Sequence, residues 1–357
     1  MQLDLTASSV DLTRAICDIP SVSGDEASLA DAIEAAVAPL PHLEVIRHGN
    51  TIVARTDLGR ERRVVIAGHI DTVPINDNLP TRFVDVDGEA QLWGRGTVDM
   101  KGGVAVQLKL AAELVEPVVD ITWMWYDNEE VAASLNGLNL LAQDRPDLFQ
   151  ADFAILGEPS NGEVEGGCNG TLRAIVRTRG VRAHSARAWI GENAIHAAAP
   201  ILSRLAEYRA KEVQVEGLAY RESLSAVRIT GGVAGNVIPD LCEVEVNYRF
   251  APSKSATDAE AHLRGVLEGF DVEITDAADG ARPGLDAPIA RQFVEAVGAR
   301  PRPKYGWTDV ARFSALGVPA VNYGPGDPHL AHHDEERVPL AQIDAVERGL
   351  RAWLTGR

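Results

Sequence analysis

Cysteine is scarce: three in 357 residues. Cys17, Cys168 and Cys242 are odd in number and widely spaced, which excludes a thiolate zinc cluster and predicts a reducing, cytoplasmic setting. Any metal must then be held by histidines and carboxylates. No run is apolar enough over its length to span a bilayer, and the opening MQLDLTASSVDLTRAICDIP lacks an apolar core of signal-peptide length. Positive charge is short. Lys and Arg number 34 against 52 Asp and Glu, a net charge of −18, which argues against nucleic acid or an anionic membrane as partner. It leaves room for a small anionic substrate, because a local Arg cluster overrules the global field. Internal repeats and low-complexity segments are absent as well.

What remains is an ordinary globular composition, 45% hydrophobic and 24% charged. The length exceeds what one core usually holds, so two domains are expected. The organising stretch is Val64 to Gly103. Val64, Val65 and Ile66 read as a buried strand, and Gly68-His69-Ile70-Asp71 sits where it should end. Ligand sites in open α/β sheets form at such carboxyl ends. His69 followed by Asp71 suits a metal ligand with an orienting acid behind it. Asp99 lies between Gly94, Gly96 and the pair Gly102, Gly103, whose freedom allows tight backbone paths.

Along the chain, Leu12, Ile16 and Ile19 mark a helix stopped by Pro20, and Ser23-x-x-Glu26 reads as a capping box for a second. Residues 43–47 and 51–55 read as a hairpin, 104–116 as a helix with Val104, Leu108 and Val115 inward, and 118–126 as a buried strand ending in Asp127-Asn128-Glu129-Glu130. The strand at 152–156 ends in Gly157-Glu158. From about 172 the order becomes strand, helix (193–209), two strands, helix, strand, the split ferredoxin-like pattern, followed by linker-like residues 276–286 and renewed α/β alternation. The expected architecture is a mixed-sheet α/β catalytic domain, 1–172 and 285–357, carrying an inserted α+β ferredoxin-like domain, 173–284. The last loop adds His329, His332 and His333. The donors His69, Asp99, Glu129, Glu130, Glu158 and His332 suit zinc, with manganese or cobalt possible. They suffice for two metals sharing a carboxylate, with one acid left as general base.

These motifs resemble the zinc-dependent aminoacylase and carboxypeptidase family, over nearly the whole chain. GCNGTLR at 167–173 and the ending GPGDP…AHHDEERV are most similar to its actinobacterial succinyl-diaminopimelate desuccinylases. The resemblance implies a zinc hydrolase with two Zn²⁺ per subunit, Co²⁺ as a substitute, and removal of a succinyl group from an N-acyl amino acid in diaminopimelate and lysine biosynthesis. It implies His69 and Glu158 at the first zinc, Asp99 bridging, and Glu130 and His332 at the second. Asp71 would orient His69, and Glu129 would be the base. His333 is the rival of His332, but only His332 has the family's Glu four residues on, Glu336. A cis peptide is implied at Asp99-Met100. VRAHSA makes His184 a residue presented to the partner's active site in a homodimer formed through the inserted domain, which also serves as lid. GNVIP, NYRF and WTDVARF make Asn236, Arg249, Thr308 and Arg312 substrate contacts, with Asp309 beside them. Two departures stand out: NEEV replaces DEEG, and Cys168 to Thr171 replace basic residues that follow GEPS in some bacterial desuccinylases. The alternatives are another N-acyl amino acid deacylase, such as one acting on acetylornithine, a small carboxypeptidase, or a metal-free binding or assembly protein on this fold.

Overall fold

The computed structural model describes residues 3–356. The chain forms two compact units. The first holds the chain up to Gly166, Pro283–Arg302 and the chain from Arg312; the second holds Gly167–Arg282 and Pro303–Ala311.

The first unit is built on an eight-stranded mixed sheet. Its order is Glu44–His48, Thr51–Arg55, Asp120–Tyr126, Arg63–His69, Phe153–Leu156, Ala320–Asn322, Glu165–Gly166 and Arg302–Pro303. The central strands are parallel: Arg63–His69 runs with both Asp120–Tyr126 and Phe153–Leu156, and Ala320–Asn322 runs with the latter. Every residue of Asp120–Tyr126 is buried, which is why this run shows no polar alternation. Parallel pairing brings several strand ends to one edge of the sheet, and the polar loops follow there.

Several elements differ locally from the expectation of the sequence. The helix Ala27–Val37 starts after Glu26 without a side-chain cap. Ser23 bonds instead to Asp71, so the capping box does not form. The helix expected at 104–116 is Lys101–Glu113, and Val115 lies beyond it, 52% exposed. The polar excursion after Asp71 contains a hairpin, Arg82–Val86 with Glu89–Trp93. Its turn is Asp87-Gly88, both at positive φ, a dipeptide that favours such turns. The helix at 193–209 is two, Ala194–Ala197 and Ala199–Glu207, with Pro200 opening the second. The supposed linker begins as strand: Asp271–Ala278 continues past a bulge at Ile274/Asp276.

The second unit has a four-stranded antiparallel sheet in the order Ser223–Gly231, Leu241–Phe250, Gly170–Arg179, Asp271–Ala278. With strands counted along the chain, this is second, third, first, fourth, the split βαβ arrangement. One face packs Leu172, Ala174, Val176, Val244, Val246 and Tyr248 against Ala198, Ile201, Leu205, Ala259 and Leu263 of the helical segments.

Close backbone packing carries the Lys101–Glu113 helix past the ends of the central strands. A Cβ on Gly103 would lie 2.2 Å from the Gly157 carbonyl oxygen, and one on Gly324 would meet the same oxygen at 2.2 Å. The obstacle is main chain and cannot swing aside. Gly103→Ala should therefore destabilise the protein by at least about 1–3 kcal/mol, read as a lower urea midpoint; an unchanged midpoint would contradict this packing.

Candidate active site

His69 is the last residue of its strand and is 1% exposed. Its Nδ1 lies 3.1 Å from the Asp71 main-chain oxygen and 3.4 Å from Asp71 Oδ1. Its Nε2 lies 3.1 Å from Asp99 Oδ1. Asp71 is fully buried and does more than orient this ring. The backbone N–H groups of Glu129 and Glu130 donate to Asp71 Oδ1 and Oδ2 at 3.0 and 3.1 Å, and Ser23 Oγ donates to Oδ2 at 2.7 Å. The end of Asp120–Tyr126 is thereby tied to the end of its neighbour.

The Asp99 loop is held by Glu336. The N–H groups of Val98 and Asp99 donate to Glu336 Oε1 at 2.9 and 3.0 Å, and buried Arg95 donates to Oε2 at 2.8 Å. Asp99-Met100 is cis, and so is Leu79-Pro80. Glu158 follows Phe153–Leu156 and is 5% exposed. His332 sits at φ +64, a left-handed backbone uncommon outside glycine. Its Nε2 lies 2.9 Å from Glu130 Oε1 and 3.3 Å from Asp99 Oδ2.

Donor atoms within 4.8 Å of one another define three groups among the described residues: His69, Asp99, Glu158; Asp99, Glu130, His332; and His69, Glu129, Glu130. Asp99 is common to the first two, with Oδ1 toward His69 and Oδ2 toward His332. Imidazole nitrogen with several carboxylates is a donor set for zinc or a similar first-row ion. His333 is in none of these groups, and its Nδ1 accepts from Glu335 N at 3.1 Å.

The charges are strongly coupled. Burial opposes charging His69, but the Asp71 and Asp99 carboxylates raise its pKa well above the usual value. Asp99 and Glu130 raise that of His332 to about 10. Burial would raise the pKa of Asp99, and the two imidazoles more than reverse this. Burial raises the pKa of Glu336.

The other expected site residues lie in different places. His184, Asn236, Arg249 and Thr308 belong to the second unit, and Arg312 to the first. His184 is exposed, and its Nδ1 accepts the Ala186 N–H at 3.1 Å. In a neutral ring the proton is then on Nε2. Asn236 is brought beside it: the Asn236 carbonyl accepts from Ser185 N, and His184 pairs with Val237. Arg249 is half-buried, and its Nε donates to Asn247. Thr308 is buried, and its carbonyl accepts from Cys168 Sγ at 3.7 Å; Asp309 is buried as well. Ser23 and Arg95 were not foreseen. Ser23 carried a signal, but one that reads equally as a helix cap; Arg95, between two glycines, carried none.

The sequence profile of peptidase family M20/M25/M40 matches residues 65–355. A succinyl-diaminopimelate desuccinylase of Corynebacterium glutamicum is 47% identical over 364 residues, spanning 99% of this chain and 98% of its own. A Mycobacterium tuberculosis protein provisionally bearing the same name is 54% identical over 357 residues, 99% of this chain and 100% of its own. Among solved structures, a tripeptidase from Staphylococcus aureus superposes with a TM-score of 0.80 over 99% of each chain at 18% identity, a likeness of fold.

The Glu336 clamp yields a test. Glu336→Ala removes the partner of buried Arg95 and the acceptor of two loop N–H groups. It should cost about 3–5 kcal/mol in chemical denaturation and lower the metal content of the purified protein. Wild-type stability would show that the Asp99 loop does not depend on Glu336.

Proposed function

This chain belongs to peptidase family M20/M25/M40, and from that premise we propose that it is a metal-dependent amide hydrolase releasing succinate and L,L-diaminopimelate from N-succinyl-L,L-2,6-diaminopimelate. The reaction class rests on one observation above all: two donor groups that share the two oxygens of Asp99. The substrate rests on the full-length identity to named desuccinylases. A metal-free binding protein is disfavoured by the complete donor set. No helix among the described residues is long and apolar enough to cross a membrane. Three buried free cysteines suit a cytoplasmic enzyme.

In this reading His69, Asp99 and Glu158 would hold one zinc ion, and Asp99, Glu130 and His332 would hold the other, with cobalt able to substitute. When bound, the ions supply Lewis-acid activation of water and of the acyl carbonyl. Asp71 fixes the ring of His69 and, through its N–H contacts, the backbone of Glu129 and Glu130. Glu129 takes the proton of the attacking water and passes it to the leaving amine. The proton on His184 Nε2 faces the developing oxyanion of a second subunit's substrate in a homodimer formed through the inserted unit. Arg249 and Arg312 clamp substrate carboxylates, for which bidentate guanidinium contacts are well matched, and Asn236 and Thr308 supply neutral hydrogen bonds.

A panel of N-succinyl, N-acetyl and dipeptide substrates assayed with zinc tests the substrate. N-succinyl-diaminopimelate should be turned over best, and chelation should abolish the activity until zinc or cobalt is restored. Within that assay, Glu129→Gln should lose about 10²–10⁴-fold in kcat while retaining metal, and Glu130→Gln should lose metal. The reverse pattern would exchange their roles.

Co-expressed His184→Ala and Glu129→Gln subunits test the composite site. His184→Ala alone should keep its metal and fall about 10²–10³-fold in kcat, the usual effect of losing one oxyanion donor. Heterodimers should recover activity, because one of their two sites combines both intact residues. Verified heterodimers as inactive as either parent would refute action across the interface.

A further inference from the structure

The open face of the second unit's sheet is charged, and the arginines at its middle are paired. Register places Arg177 opposite Glu243, Arg173 opposite Asn247 and Thr171 opposite Arg249. Alternation puts these residues on the face away from the helices. Arg177 Nε donates to Glu243 at 2.7 Å, and its Nη1 donates to Glu273. Arg228 pairs with Glu245 at 2.8 Å. Arg173 and Arg249 break this pattern. The Arg173 guanidinium has no hydrogen bond or ion pair among the described residues, and Arg249 has a single bond, to the neutral amide of Asn247 at 3.1 Å.

The two are diagonal neighbours on adjacent strands, near enough for long side chains to interact. Burial lowers the pKa of Arg249, and the charge of Arg173 lowers it further. Asp276 stands opposite Arg173 in the register and its charge partly offsets that lowering, but neither guanidinium bonds to it among the described residues, so folding still holds two like charges together, one of them half-buried. Beside them, Thr171 is only 8% exposed and its Oγ1 has no partner among the described residues. A buried hydroxyl left unpaired is costly. Two guanidinium groups and a hydroxyl donor on one face match the needs of a carboxylate.

We infer that Arg173, with Arg249 and the Thr171 hydroxyl, forms a carboxylate subsite, and that Arg173 sets the enzyme's preference for N-acyl amino acids carrying a carboxylate remote from the scissile amide. This rests on the hydrolase reading above. Arg173→Gln and Arg173→Lys are compared as metal-loaded full chains, with N-succinyl-L,L-diaminopimelate and with analogues each lacking one carboxylate. Arg173→Gln should raise KM for the full substrate about tenfold with kcat within about twofold, and Arg173→Lys should recover part of the loss. The effect should vanish for one analogue, which identifies the carboxylate held. An unchanged KM, an equal effect on every analogue, or an altered oligomeric state would overturn the inference.

A second readout needs no turnover. Phenylglyoxal modification of the wild-type holoenzyme, mapped by mass spectrometry, should be blocked by succinate at Arg173 and Arg249 but not at Arg228. Protection without desuccinylase activity would keep the subsite and remove the substrate assignment. Desuccinylase activity without protection would remove the subsite.

Discussion

The carboxylate of Asp71 is the joint on which the site depends. It accepts from Ser23, Glu129 and Glu130 and lies beside His69, so one buried acid fixes the ends of two parallel strands and the start of the chain's second helical segment. A charge this deeply buried is tolerable only when it is hydrogen-bonded on all sides. The same requirement makes the arrangement specific. Moving any one of its donors would cost the buried carboxylate a hydrogen bond, so the donors around His69, Asp99 and Glu130 are placed before any substrate arrives. Glu336 performs the matching task for the Asp99 loop, using Arg95 to offset its own burial.

Much of this was legible in the sequence because the chemistry lies at strand ends. Apolar runs such as Ile121–Tyr126 announce buried strands, and the acids that follow them stand out. His69, Asp99, Glu130, Glu158 and His332 fall together in the structure for that reason. Ser23 was misread because a hydroxyl three residues before a glutamate suits a helix cap as well as a carboxylate contact. The distinction depends on Asp71, 48 positions away. The hairpin around Asp87-Gly88 escapes a reading from sequence because Arg82–Val86 has no buried residue and Glu89–Trp93 is buried only along its last three, so neither strand shows hydrophobic alternation. His184 and Asn236 converge through a two-residue strand pairing, too short to leave any periodic trace.

Fold and substrate are distinct questions for this family. A tripeptidase shares the architecture at 18% identity, while the desuccinylases share 47–54% of the residues. The candidate donor groups suit either amide, since both reactions cleave the same kind of bond. Discrimination must come from groups that meet the rest of the substrate, and charged residues of the second unit, such as Arg249 and Arg173, are of the type that reads carboxylates.

The Ala320–Asn322 strand lies between Phe153–Leu156 and Glu165–Gly166 in the sheet, although it is made more than 150 residues after them. A ribosome therefore finishes the whole of Gly167–Arg282 while the first unit still lacks an interior strand and His332. During that interval the edge of Phe153–Leu156 stands open, and open edges of buried strands are where growing chains mispair. The order of synthesis thus makes the late segment both the source of a candidate donor, His332, and the piece that closes the sheet: the completed donor group and the end of aggregation risk arrive in the same stretch of chain.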